Sequence, residues 1–229
     1  MADPWGWGWS LPVAGIASLA AWRLGAVNAS GALAGLALAT PLMALGGLPV
    51  LVALVLLVGL GSWASRRVAK ANSLVPGDSR RSAVHAVANT GPALLALLLR
   101  PGPTGSLLAC AALGAALSDT LSGEIGMLSG GKVRLLLVGP RVRPGRNGGM
   151  SLVGTLAGLL AAALTAGAVA LSAGEGRVFT PVLAGGFAGT LADSLLGATV
   201  ESVLPRRWGN EIVNFLASSA GAFVAWSFV

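Results

Sequence analysis

The chain is poor in charge. Asp, Glu, Lys and Arg make up 10% of its 229 residues, where a soluble domain carries about 25%. With 55% hydrophobic residues and a mean hydropathy of +0.80, this deficit excludes an ordinary soluble fold and implies an integral membrane protein. The single cysteine, Cys110, lies in an apolar run, so one chain can build neither a disulfide framework nor a cysteine metal site. Aromatic and basic residues are not interleaved, so there is no stacking platform and no nucleic-acid partner is expected. The N-terminal MADPWGWGWS has no basic residue ahead of the first apolar run and does not read as a cleaved signal; Trp5, Trp7 and Trp9 read as interfacial anchors. Neither an internal repeat nor a separate soluble segment is visible, so residues 1–229 are read as one transmembrane domain.

What the chain does have is long apolar runs without strand alternation, which indicate helices rather than a barrel. The runs are Leu11–Val27, Ser30–Leu45, Val50–Ala64, Ser82–Leu99, Ser106 to about Ser122, Ser151–Ser172, Phe179–Val203 and Asn210–Val229. The expected fold is an all-α polytopic bundle of about seven or eight transmembrane helices. The second and third runs are short, and a tight hairpin that does not fully cross is the alternative reading there. The 34 glycines imply close helix packing, with Gly31/Gly35, Gly154/Gly158 and Gly185/Gly189 as candidate contacts. Basic residues cluster in segments of about 65–81, 123–149 and 204–209, including Arg66, Arg67, Lys70, Arg80, Arg81, Arg206 and Arg207. By the positive-inside rule these loops are cytoplasmic, and both termini lie outside if every run crosses.

Ionisable and amide side chains in membrane helices are costly and call for a partner or a function. Here they gather at the cytoplasmic ends of four runs, the fourth, fifth, seventh and eighth. Arg81, His85 and Asn89 share a helix face; Asp119, Thr120 and Glu124 close the fifth run. Asp193, Ser194 and Glu201 lie in the seventh, and Asn210, Glu211 and Asn214 open the eighth. Between Glu124 and the sixth run come Lys132, Arg134, Arg141, Arg143 and Arg146, then the turn Asn147-Gly148-Gly149 and Ser151. Asp119, Glu124 and Asp193, with Glu201, offer the oxygen ligands that Mg²⁺ prefers. The basic loop, the glycine turn and the start of the sixth run suit phosphate oxygens. Together they suggest phosphoryl transfer, which needs positioning and charge neutralisation above all. Structural alternatives stand beside each reading: a salt bridge for Asp119/Glu124, topology signals for the bases, a packed His85, and interhelical hydrogen bonding for Asn89, Asn210 and Asn214.

Five blocks, RSAVHAVAN (Arg81–Asn89), SDTLSGEIGMLS (Ser118–Ser129), PGRNGGMSLVGT (Pro144–Thr155), DSLLGAT (Asp193–Thr199) and NEIVNF (Asn210–Phe215), follow in order. In these the chain, from about Gly25 onward, resembles the transmembrane protein 19 family, which includes plant phytyl-phosphate kinase. It is more distantly similar to CTP-dependent phytol and dolichol kinases. It departs from the family pattern at His85 and Glu201, where glutamine is usual, at Glu211, where aspartate is usual, and at Arg146, where a small hydroxyl residue is usual.

The resemblance implies an integral membrane kinase. It would transfer the γ-phosphoryl group of a nucleoside triphosphate, with CTP favoured, to an isoprenoid monophosphate in a Mg²⁺-dependent reaction on the cytoplasmic side. In this reading Asp119, Glu124 and Asp193 hold the metal, and Lys132, Arg141, Arg143, Arg146, Asn147, Gly148, Gly149 and Ser151 hold the nucleotide phosphates. Asn214 completes the catalytic set. Arg81, His85, Asn89, Thr120, Ser194, Glu201 and Asn210 serve the lipid phosphate or the metal shell. A lipid-alcohol kinase, a CTP-dependent cytidylyltransferase and a non-enzymatic transporter or lipid-binding protein are the alternatives. Membrane lipids are expected partners, and a homodimer is compatible with the sequence.

Overall fold

In a computed structural model, residues 6–71, 81–205 and 208–229 are described, without the side chain of Ser202. Trp5, Arg80, Arg206 and Arg207 lie outside the described residues. Lipid offers no partner for backbone amides, so apolar runs close their hydrogen bonds internally as helices. Among the described residues these are α1 Trp7–Arg23, α2 Ala29–Ala71, α3 Ala83–Leu99, α4 Pro103–Leu128, α5 Leu152–Ala173, α6 Phe179–Thr199 and α7 Gly209–Trp226. The chain is an all-α membrane bundle, as the composition implies. By length and composition α2, α4, α5 and Gly176–Thr199 can each cross a membrane, and α3 is a shorter apolar helix.

α2 is kinked and does not keep one direction. Gly47 breaks the helix with φ 67° and ψ −158°, a left-handed φ that glycine adopts freely, and Pro49 follows. A straight helix would hold Gly31 and Gly61 about 45 Å apart at 1.5 Å per residue. Instead Gly31 abuts the Arg81 carbonyl and Gly61 the Arg81 guanidinium. The two arms therefore fold back on each other, and one lined cavity takes Gly35, Leu38 and Leu42 from the first arm with Leu54, Val58 and Ser62 from the second. The arms are roughly 27 and 36 Å long, close to the hydrocarbon thickness of a bilayer. The two arms that contain the second and third apolar runs are thus each of spanning length, joined by a sharp turn.

α4 is the central helix. Ala109, Cys110, Ala111, Ala112 and Leu113 are fully buried, and the helix packs against α2, α3, α5, α6 and α7. Small residues allow this approach. A Cβ at Gly158 would stand 3.1 Å from the Ser118 carbonyl oxygen, and one at Gly189 would stand 3.0 Å from that of Ala217. Thr190 donates to Ser118 Oγ (2.6 Å), which donates to the Gly158 carbonyl (2.8 Å), so α4, α5 and α6 are also tied by a buried polar chain.

One end of the bundle collects the polar residues. The Arg81 amide donates to Ala26 O (3.2 Å) and the Asn28 amide to Arg81 O (3.1 Å), which pins the α1–α2 turn to the start of α3. The C-terminal ends of α4 and α6 and the N-terminal ends of α5 and α7 reach the same end, because successive helices reverse direction.

The loop between α4 and α5 is ordered by a two-residue pairing. β1, Arg134–Leu135, runs antiparallel to β2, Gly149–Met150, with Val133 and Met150 buried beneath it. Four expected boundaries near the polar end shift. α3 begins at Ala83 with Ser82 as its N-cap, so Arg81 precedes the helix and does not share a helical face with His85 and Asn89. α2 continues to Ala71, into the expected 65–81 loop. α4 continues to Leu128, so Glu124 lies on a helix and not in a loop. α6 stops at Thr199, and Glu201 opens a separate 3₁₀ turn, Glu201–Val203, so it does not continue the helical line of Asp193 and Gly197.

Candidate functional site

Two adjoining chambers open at the polar end, and Asp119 of α4 and Asn210 of α7 face both. The smaller, about 180 Å³, lies between α4, α6 and the β-loop. It is lined by Asp119, Ser122, Arg146, Asn147, Gly148, Gly149, Ser151, Asp193, Ser194, Glu201 and Asn210. The larger, about 500 Å³, lies between α2, α3, α4 and α7. It is lined by Ser65, Arg81, His85, Asn89, Asp119, Thr120, Glu124, Asn210 and Asn214. The sequence blocks singled out above therefore converge, although they come from five helices and a loop.

The carboxyls of Asp119 and Asp193 lie within hydrogen-bonding range of one another. Asp193 Oδ1 is buried and has no hydrogen-bond partner. A buried orphan oxygen beside a second carboxylate is an unfavourable arrangement unless a cation joins it. The donor set here is all oxygen, which suits Mg²⁺ and not zinc, and Mg²⁺ characteristically takes one or two carboxylates and completes its shell with water and substrate phosphate.

The expected three-carboxylate set is not what forms. Among the described residues no three His, Cys, Asp or Glu side chains gather into a metal-binding group. Glu124 lies five positions after Asp119, about 140° around a continuous helix. It lines the larger chamber, with Asp119, and not the smaller one; it accepts a hydrogen bond from Ser65 Oγ (2.7 Å) and stands in the field of the Arg81 guanidinium. In this structure its carboxylate is engaged by Ser65 and lies near the Arg81 guanidinium. Ser65 had no signal in the sequence, because the contact joins residues far apart in the chain.

Other expected side chains divide in the same way. Ser151 Oγ accepts from the Gly154 amide (3.1 Å) and caps α5, so its hydroxyl oxygen already has a role. The Gly149 amide donates to Arg146 O (2.8 Å), which closes part of the expected anion nest. Arg146 lines the smaller chamber, whereas Lys132, Arg141 and Arg143 are exposed and line neither chamber. Arg134 donates to Gly139 O (3.1 Å) and braces the loop. Asn89 Nδ2 donates to His85 O (2.8 Å) and Thr120 Oγ1 to Ala116 O (2.8 Å), so each holds its own helix while lining the larger chamber.

Arg81 is mostly buried, and burial lowers the pKa of its guanidinium from the ordinary value, with Glu124 acting in the opposite direction. His85 bridges α3 and α7: its Nδ1 is 3.0 Å from Ser82 Oγ and its Nε2 is 3.7 Å from Glu211 Oε1. Burial, and then the nearby Glu211 carboxylate, hold the Glu201 carboxyl above its ordinary range.

Gly148 closes the smaller chamber. Its φ is +71°, and a Cβ there would meet Ala198 of α6, including backbone atoms at 2.7 Å. Gly148→Ala therefore adds a left-handed penalty of roughly 1–2 kcal/mol to a backbone collision. The expected result is an intact bundle whose β-loop is lifted from α6, seen as faster proteolysis between Gly130 and Met150 with little change in helical circular dichroism. A wild-type cleavage rate would show that the loop is not held there.

Comparisons with known proteins agree with this placement in a membrane. A sequence profile of the family described as integral membrane protein DUF92 matches residues 12–222. An uncharacterized membrane protein of Methanocaldococcus jannaschii is 38% identical over 136 residues, 58% of this chain and 56% of that protein. The chloroplastic protein VTE6 of Arabidopsis thaliana is 37% identical over 114 residues, 47% of this chain and 33% of that protein. An uncharacterized membrane protein of Synechocystis is 35% identical over 113 residues, 48% of this chain and 42% of that protein. The matched regions thus span between a third and a little over half of these relatives. No solved structure matches the chain.

Proposed function

From the premise that the chain belongs to the DUF92 family of integral membrane proteins, we propose that it is a membrane phosphotransferase that phosphorylates an isoprenoid monophosphate. The nucleoside triphosphate, with CTP favoured, occupies the smaller chamber and the acceptor phosphate the larger one. The observation that carries this reading is the Asp119–Asp193 pair with its orphan buried oxygen, placed at the junction of two polar chambers. Support also comes from the five sequence blocks that resemble a family including plant phytyl-phosphate kinase.

Asp119 and Asp193 would hold Mg²⁺, which neutralises charge on the triphosphate oxygens. Arg146 and the Asn147–Gly148 turn flank the same phosphates. Arg81 orients the acceptor phosphate from the opposite chamber, with Asn89, Asn210 and Asn214 as amide donors. An acceptor phosphate oxygen attacks the γ-phosphorus in line, the β–γ bridging bond breaks, and the nucleoside diphosphate leaves. A monophosphate, whose second pKa is about 6, is already largely ionised at neutral pH and needs no base. A lipid alcohol would need one, and the His85–Glu211 contact is the observation that favours this second reading. The polar end is assigned to the cytoplasm by its basic loops.

The test is purified protein in nanodiscs with Mg²⁺, supplied with phytyl, geranylgeranyl or farnesyl monophosphate, or the matching alcohols. Each of the four nucleoside triphosphates carries label in the α or γ position. Label from the γ position in a lipid diphosphate is the expected result, with CTP giving the highest rate. Transfer of α label would instead mark a cytidylyltransferase, and no transfer to any acceptor would remove the kinase reading.

A further inference from the structure

A third cavity, about 460 Å³, lies on the outer side of α3 and α7 and is almost wholly apolar. The geometry points to this groove as the slot for the hydrocarbon chain of the acceptor, with Phe215 as its end stop. The identity of the head group rests on the kinase reading above; the groove assignment rests on the following placement.

α3 and α7 each present two faces. On α3, Val84 and Val87 line the groove while His85 and Asn89 line the acceptor chamber. On α7, Ile212, Phe215 and Leu216 line the groove while Asn210 and Asn214 line the chamber. The wall between the two spaces is one side-chain contact thick: Glu211, on the groove, lies 3.7 Å from His85, on the chamber. An amphiphile with its phosphate at Arg81 therefore reaches an apolar slot across a single helix face. Binding sites for such ligands are mainly apolar with a few placed polar groups, which is this combination.

The groove is also finite. It runs about 12 Å along α7 at 1.5 Å per residue. At its inner end the Phe215 ring reaches across to α3, where Cε2 would lie 3.0 Å from a Cβ at Gly91. A second apolar groove of similar size, about 430 Å³, is formed by α4 and α5 with Leu156 and Leu160 among its residues, and neither groove shares a lining residue with the polar chambers. Lipid-facing concavity alone would treat the two alike; the His85–Glu211 contact separates them, because it ties a residue of the α3–α7 groove to a residue of the acceptor chamber.

The experiment uses the full chain in phosphatidylcholine nanodiscs and geranylgeranyl monophosphate bearing a terminal diazirine. After photolysis, peptide mapping is expected to find label on Val87, Ile212, Phe215 or Leu216. Label there should fall at least fivefold with excess unlabelled geranylgeranyl monophosphate and not with inorganic phosphate. In Phe215→Ala the label is expected to extend past Gly91 to Leu95. Label spread equally over the α4–α5 groove at Leu156 and Leu160, or label not displaced by the unlabelled lipid, overturns the assignment; label confined short of Gly91 in folded Phe215→Ala overturns the end stop. The wild-type map decides the slot even if that variant does not fold. Because labelling needs no turnover, a groove-specific map without γ-phosphoryl transfer would discard the kinase reading and keep the slot, and the converse result would do the opposite.

Discussion

Asp193→Asn should abolish most lipid phosphorylation while leaving the bundle as stable as the wild type or more so. The placement of Asp193 is expected to be unfavourable in the metal-free protein. Its Oδ1 is buried without a partner, and the Asp119 carboxyl lies beside it. Replacing one carboxylate by an amide removes like-charge repulsion and supplies an N–H that Asp119 can accept. The same change takes away half of the oxygen pair proposed for Mg²⁺. Loss of one preorganised electrostatic group at a reacting centre typically lowers kcat about 10²- to 10³-fold, and that range is expected here and for Asp119→Asn. The measurement is γ-phosphoryl transfer together with melting temperature, with and without Mg²⁺. The wild type should melt higher in Mg²⁺ with nucleotide, and the variant should lose that increment without a lower metal-free midpoint. Retained activity, or a collapse of the metal-free midpoint, would show that this pair is structural.

Arg81→Ala is expected to have the second largest effect, and it should fall on the acceptor. The guanidinium is mostly buried, faces Glu124, and lines the larger chamber. Its backbone is anchored independently by hydrogen bonds to Ala26 and Asn28, so truncating the side chain does not release the loop that carries it. A hydrogen bond to a charged group contributes about 1.5–3 kcal/mol, so kcat/KM for the lipid acceptor should fall roughly 10- to 10²-fold, with the nucleotide KM much less changed. Arg81→Lys keeps the charge but loses the planar fork, and should recover only part of the loss. The variant also leaves Glu124 without its nearby cation. Arg81→Ala/Glu124→Gln should therefore regain stability without regaining acceptor use, a separation that a double-mutant cycle reads directly. Equal losses for both substrates, or acceptor use restored in the double variant, would assign Arg81 to the framework.

The membrane class, the helical fold and the set of polar blocks could be read without coordinates, because each depends on local chemistry. Low charge and long apolar runs admit few structures in lipid, and ionisable side chains in such runs are costly wherever they fall. The site partners could not be read in the same way. Asp119 and Glu124 are close in the chain and both line the larger chamber, but with α4 continuing to Leu128 only Asp119 also reaches the smaller one. Ser151 fitted a phosphate site by its neighbours, but folding gave its hydroxyl oxygen to the Gly154 amide.

The sequence by itself determined that this is a polytopic helical membrane protein with acids, amides and bases at one end, since hydropathy and the cost of buried charge act residue by residue. Only the tertiary structure decided that Asp119 lies beside Asp193, that Glu124 accepts from Ser65 near Arg81, and that an apolar groove lies across α3 and α7 from the larger chamber. Those pairings depend on helix rotation and on the fold-back at Gly47, which packing between distant segments sets.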